Sequence, residues 1–410
     1  MLDTLKIACF LLATMPLSNC ELVVADFNKI DGSVIDTHLD YYSDADQEDG
    51  NIDGVTSISC RGRFTCVLTT TGGVKCWGWN DYGQLGDGTT ITSYYPVDVA
   101  GLLSGVKVMS IGGAGGRHNC ALLDTGGVKC WGSNEYGQLG DATTSDRTTP
   151  VYVSGLLSGV SSIHVGSRHT CAIMNTGAVK CWGWNEYGQL GNISTMNSSV
   201  PVDVDGLSSG VISLTAGGFH TCVIMNTGAS KCWGDNYYGQ LGNGETESIS
   251  LVPIDVVGLS SGVTAISAGG HHTCSLSSGG VKCWGRNEHG QIGDGTLNLQ
   301  TTPVDVYGLS MGVHAISVSA LHTCVLMMAG SVKCWGNNES GQLGDGTTAN
   351  ELTPTDVVGL STGVTSLSTG YSHNCAILAS GKIMCWGENL DGELGDGTNI
   401  NRSTPVEVQL

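Results

Sequence analysis

His220-Thr-Cys222-Val-Ile-Met-Asn226-Thr-Gly228-Ala-Ser-Lys-Cys232-Trp-Gly234 reads as two strands joined by a tight turn, with a cysteine in each strand. Asn226-Thr-Gly228 carries the turn chemistry, and the strands on either side hold residues suited to a half-buried pleated surface. The tripeptide Cys-Trp-Gly begins at Cys76, Cys130, Cys181, Cys232, Cys283, Cys334 and Cys385, spaced 54 residues once and then 51 five times. A period near fifty residues belongs to propeller blades. An alternating segment such as Gly262 to Gly269 precedes each hairpin. An Asn-x-x-Gly-Gln-Leu-Gly turn (Asn80 to Gly86 in the first unit), a variable loop and a short strand such as Pro303 to Val306 follow it. Four strands per unit and seven units predict an all-β, seven-bladed β-propeller of four-stranded antiparallel blades over 54–410, since a closed ring leaves only short sheet edges.

Gly-x-x-His-Thr-Cys, Val-Lys-Cys-Trp-Gly and Asn-x-x-Gly-Gln-Leu-Gly resemble the repeat of the RCC1 (regulator of chromosome condensation) family. The resemblance covers all seven units. It implies a propeller closed by a blade that takes strands from both chain ends. It also implies protein binding as the general role, with exchange on a Ran-like small GTPase as the activity that gave the family its name.

Counting inward from each hairpin pairs Cys66 with Cys76, Cys120 with Cys130, Cys171 with Cys181, and Cys222 with Cys232. Cys274 pairs with Cys283, Cys324 with Cys334 and Cys375 with Cys385. In the first unit the count leaves a three-residue turn, Thr70-Thr71-Gly72, and in the fifth a two-residue turn, Ser278-Gly279; both set the cysteines opposite each other. Opposed Cα atoms about 4.5 Å apart suit a disulfide, so one intrablade disulfide per blade is expected. Free dithiols and zinc ligation are the alternatives, and zinc needs four converging donors, its thiolates at about 2.3 Å. Cys60 is left as a buried free thiol on a first strand, where other units carry Val165 or Ala216.

Lys and Arg number 17 against 37 Asp and Glu, a net charge of −20, which excludes a sequence-independent grip on nucleic acid. Residues 1–20 read as a signal peptide: Lys6 precedes an apolar run from Ile7 to Leu17 too short to span a bilayer. Leu17-Ser18-Asn19-Cys20 resembles a bacterial lipoprotein signal, which makes Cys20 a candidate lipidation site, although Asn19 departs from the small residue usual there. Residues 21–53 hold ten acids against Lys29 and read as an acidic disordered linker. Asp44 to Asp53 is a weak calcium-loop candidate, its Gly50 one place late for an EF-hand. The expected location is exported: extracellular, periplasmic or anchored to the cell envelope.

His118, His169, His220, His272, His322 and His373 share one place in the repeat, where the first unit has Phe64. Each is expected to fix its own turn by a hydrogen bond, and a metal-binding ring is the alternative. The seven tryptophans of Cys-Trp-Gly are expected between blades. Trp79 and Trp184 are not shared by the other units and are candidate exposed partner contacts. Sequence variation concentrates after each Gly-Gln-Leu-Gly turn, for example Thr90 to Tyr95 and Ser194 to Val200. No Gly-x-x-x-x-Gly-Lys-Ser/Thr or His-Glu-x-x-His motif occurs, and no cofactor is expected. The reading is a monomeric, non-enzymatic binding module presenting variable loops to a protein or glycan. The alternatives are a guanine-nucleotide exchange factor and a hydrolase or lyase with a central pocket.

Overall fold

The computed structural model describes residues 54–409, Ala114 excepted. The expected signal peptide, Cys20, the acidic linker and the calcium-loop candidate therefore lie outside the described residues. The first blade is β1 (Val55–Arg61), β2 (Phe64–Thr69), β3 (Val74–Gly78) and β4 (Ser93–Asp98), paired in that order. Six further four-stranded antiparallel sheets repeat it. The first strands touch one another in a closed circuit that returns from the seventh blade to β1, so they form the inner wall.

Each blade consists of four consecutive strands. This corrects the expectation of a closing blade shared between chain ends. Hydrogen bonds between complete blades close the ring instead. The Tyr371 N–H donates to Gly62 O at 2.9 Å, the Cys60 N–H to Ser368 Oγ at 2.8 Å, and the Trp77 indole to Glu393 O at 2.9 Å.

The core lies between blades. One cluster joins Ile173, Val179 and Leu190 of the third blade to Leu214, Val223 and Trp233 of the fourth. Each Cys-Trp-Gly tryptophan is fully buried and donates its indole N–H to the preceding blade's Gly-Gln-Leu-Gly turn, as Trp131 does to Gln84 O at 3.0 Å. Gly86 has φ +70°, and a Cβ there would lie 2.7 Å from Trp131 Nε1, so the turn needs glycine for both reasons.

In all seven hairpins the two cysteines are register partners, 4.0–4.1 Å apart at Cα, with S–S distances of 2.04–2.12 Å. The fifth hairpin turns through Ser278 and Gly279, both at positive φ. On the outer part of the sheets a lysine of the third strand meets an acid of the fourth, as in Lys75 with Asp98 at 2.6 Å; the pattern recurs in four other blades, and in the seventh Lys382, just before the third strand, meets Glu407.

Candidate functional site

Phe64 pairs with Gly78, and Arg61 with Phe64, so the turn after the first strand and the loop after the third emerge at one end of the blade. The variable segments therefore share a face with the residue that precedes each repeat histidine. On that face Arg117 of the second blade lies over Trp79 and Tyr82 of the first, its Cζ 5.2 Å and 4.6 Å from the ring centres. Arg117 also donates to the Tyr82 hydroxyl at 2.6 Å. Arg168 sits 5.2 Å from the Tyr136 ring and 5.3 Å from that of Trp184. Phe219 packs edge-on against Trp184 and Tyr187 and stacks on His271 at 4.7 Å. Tyr238 carries the series to Arg286, 5.2 Å away.

The result is an arc of alternating rings and cations across the first five blades. Cation–π contacts hold the guanidinium planes in place, while Arg117 and Arg168 each donate from Nη1 to a tyrosine hydroxyl and Arg286 pairs with Glu288. The seventh blade ends the arc with Glu388 and Asp391, which pair with Arg63 at 3.2 Å and 3.4 Å. Trp184 is 7% exposed, and Trp79 is half-buried. Neither is the freely exposed contact expected from sequence: each is the platform on which an arginine or an aromatic neighbour rests.

The histidines are also corrected. Each bonds the following blade, and His322 also bonds its own turn through Ser319 Oγ at 2.7 Å: His118 Nε2 meets Thr170 Oγ1 at 2.8 Å, His169 meets Thr221 at 3.0 Å, and His373 meets Thr65 at 2.9 Å across the seam. The Thr170 and Thr221 hydroxyls donate to Gln138 O and Gln189 O, so the histidine Nε2 is the donor. Burial holds His118, His169, His220, His272 and His373 at a pKa of about 3, and His322 at about 4.

Cys60, His373 and Cys375 bring donor atoms within 4.8 Å of one another. Cys375 is committed to Cys385 and His373 to Thr65, which leaves one sulfur. Ser319, His322 and Asn374 make a serine–histidine–amide chain of two 2.7 Å contacts. All three are sealed, at 2%, 0% and 1% or less of exposure, so no substrate reaches the hydroxyl.

Two residues on the inner wall were missed by sequence reading. Arg61 stands where the other six blades have Gly112, Gly166, Gly217, Gly269, Ser319 and Gly370, and His164 stands where they have Ser or Thr. The signal was available as a departure from the repeat, but only knowledge of which strand is innermost gives it weight.

The model of the regulator of chromosome condensation (RCC1) repeat matches residues 71–122, 125–173, 176–224, 232–276, 278–326 and 329–377. A second model of the same repeat matches 55–84 and 364–393 among others, so both terminal blades carry it. The chain belongs to the RCC1 repeat family. This RCC1-repeat chain is 32% identical over 360 residues to the ultraviolet-B receptor UVR8 of Arabidopsis thaliana, covering 87% of this chain and 70% of the receptor. It is 30% identical over 381 residues to the secretion-regulating guanine nucleotide exchange factor of Mus musculus, covering 85% and 81%. Its fold matches that of yeast RCC1 (Prp20), solved bound to Kap60, with TM-score 0.73, 19% identity and 90% of each chain covered.

Proposed function

We propose that this RCC1-repeat chain is an exported binding module that holds a protein partner on its aromatic and cationic face, with lipid on Cys20 as its attachment to the membrane. The arc from Trp79 to Arg286 carries the reading. Half-buried rings and arginines are the side chains that dominate binding at protein interfaces, and here the scaffold fixes them before any partner arrives. The variable loops emerge on the same face and supply the partner-specific rim. A solved relative bound to Kap60 supports protein binding as a use of this fold.

The test is capture from the native cell envelope with the disulfide-intact protein, set beside a Tyr82→Ala, Phe219→Ala double variant. A protein held by the wild type and released by the variant supports the reading. Equal capture by both, or capture of glycan alone, overturns it. Incorporation of labelled fatty acid, lost in Cys20→Ala, tests the attachment.

Nucleotide exchange on a Ran-like small GTPase is a second reading, and the mouse relative's name favours it. Faster release of bound GDP from a small GTPase recovered by the same capture would replace the first reading with this one.

A further inference from the structure

The seven first strands read Val55-Thr-Ser-Ile-Ser-Cys-Arg61, Val106-Lys-Val-Met-Ser-Ile111, Val160-Ser-Ser-Ile-His-Val165, Val211 to Ala216, Val263 to Ala268, Val313 to Val318 and Val364 to Thr369. Among the described residues no acid falls on these first strands, whereas Arg61, Lys107, His164 and His314 do, and of these four Arg61 and His164 are buried. Arg61 is 6% exposed, and its Nη1 has no hydrogen-bond partner. Among the described residues no carboxylate forms an ion pair with it, although Arg63, two residues on, has three acids around it.

In five of the other blades the position is glycine, and in the sixth it is Ser319. A Cβ on Gly217 would lie 2.6 Å from Gly269 O of the next blade. The first blade makes room for a seven-atom cationic side chain at the place where the rest of the ring requires glycine or serine. Burying a guanidinium without a counter-charge costs several kcal/mol, and a neutral side chain of similar volume would avoid that cost. Burial pulls the Arg61 pKa down to about 10, and His164 on the third blade sits at about 3, held down by burial first and by the Arg61 charge second. Two basic groups from different blades thus lie close enough for the charge of one to act on the other.

We propose that Arg61 is the anchor of a small-oxyanion site at the axial mouth of the propeller, taking a carboxylate or phosphate through the free edge of its guanidinium. The fork matches both oxyanions in shape and charge. The site lies at the centre of the proposed partner face but does not depend on it, because the ion is bound by the propeller alone.

The experiment follows the thermal midpoint of the intact protein in titrations with inorganic phosphate and with acetate, at constant ionic strength. The comparison is with Arg61→Met and with Lys75→Gln, a cation on the outer strands. At ion concentrations about ten times the dissociation constant, wild type and K75Q rise saturably, by on the order of 2 °C. R61M does not respond, and in ion-poor buffer it melts at or above the wild-type temperature because an unpaired charge has gone. The phosphorus NMR line of phosphate broadens with wild type and not with R61M. Which ion shifts the midpoint says whether the site takes phosphate or carboxylate. The proposal is overturned if neither ion shifts wild type more than R61M, or if R61M melts lower by the same amount in every buffer, which would make Arg61 a packing residue.

Discussion

Glu393 shows how one substitution within a repeat changes local chemistry. Six blades have Gln at this turn, and in the fourth the Gln240 Nε2 donates to Asp235 at 2.6 Å. The seventh has Glu393, whose side chain is fully buried with Arg63 at 3.8 Å and the acids Glu388 and Asp391 beside it. Burial first, and those two acids after it, push the Glu393 carboxyl up to about 7, against the pull of its hydrogen bonds to backbone N–H groups. A raised carboxyl favours the protonated folded state. Its stabilising effect is therefore complete below the ordinary value of 4.5 and is lost as pH rises through about 7. Glu393→Gln restores the neutral donor found in the other blades. At pH 8 it should raise stability on the order of 2 kcal/mol, and at pH 4.5 it should change little. Urea unfolding of both proteins at the two pH values checks this, and an equal difference at both would remove the charge explanation.

At the scale of the element, the hairpin was legible because strand pairing has a period of two. Counting inward from a turn fixes which residues oppose, and Cys66 with Cys76 or Cys274 with Cys283 follow without reference to the rest of the chain. The links between blades were not legible. His169 and Thr221 are 52 residues apart, and nothing in either strand says that one reaches the other. The same holds for Arg117 over Trp79, which turned two candidate exposed tryptophans into supports, and for Arg61, whose position matters only once β1 is known to be innermost. Two variants separate the kinds of link. Removing one hairpin bond with the double substitution Cys171→Ser, Cys181→Ser frees a loop of about ten residues in the unfolded chain and should cost about 2.5 to 3 kcal/mol. Thr221→Val keeps the shape but strips the hydroxyl that receives His169 and donates to Gln189 O, and should cost about 1 to 3 kcal/mol. Calorimetric melting measures both. A silent T221V would show that the histidine finds another partner.

Across the whole molecule the repeat multiplies each local arrangement, and its response to acid follows from that multiplication. Six ring histidines and His164 are buried and neutral, with pKa values of about 3, or about 4 for His322, against 6.5 for the free side chain. A lowered histidine pKa means that the unfolded chain binds more protons. The stability tied to these groups is complete above pH 6.5 and is lost as pH falls toward their folded values. Each contributes at most about 1.4 kcal/mol per pH unit in that window, and the seven act in the same direction. Glu393 opposes them, but it is one group. The melting temperature should therefore be nearly level from pH 8 to 7 and should drop steeply between pH 6 and 4, with several protons taken up on unfolding. Substituting Phe at His220, as the first blade does at Phe64, should shallow the slope by about one proton even where it lowers stability at pH 7, because the proton count depends on the number of buried imidazoles and not on how well the ring packs. Melting followed across that range, with the slope compared between wild type and His220→Phe, decides the matter: an unchanged slope in the variant, or a level profile down to pH 4 in the wild type, would mean that the histidine ring opens to water before the blades separate.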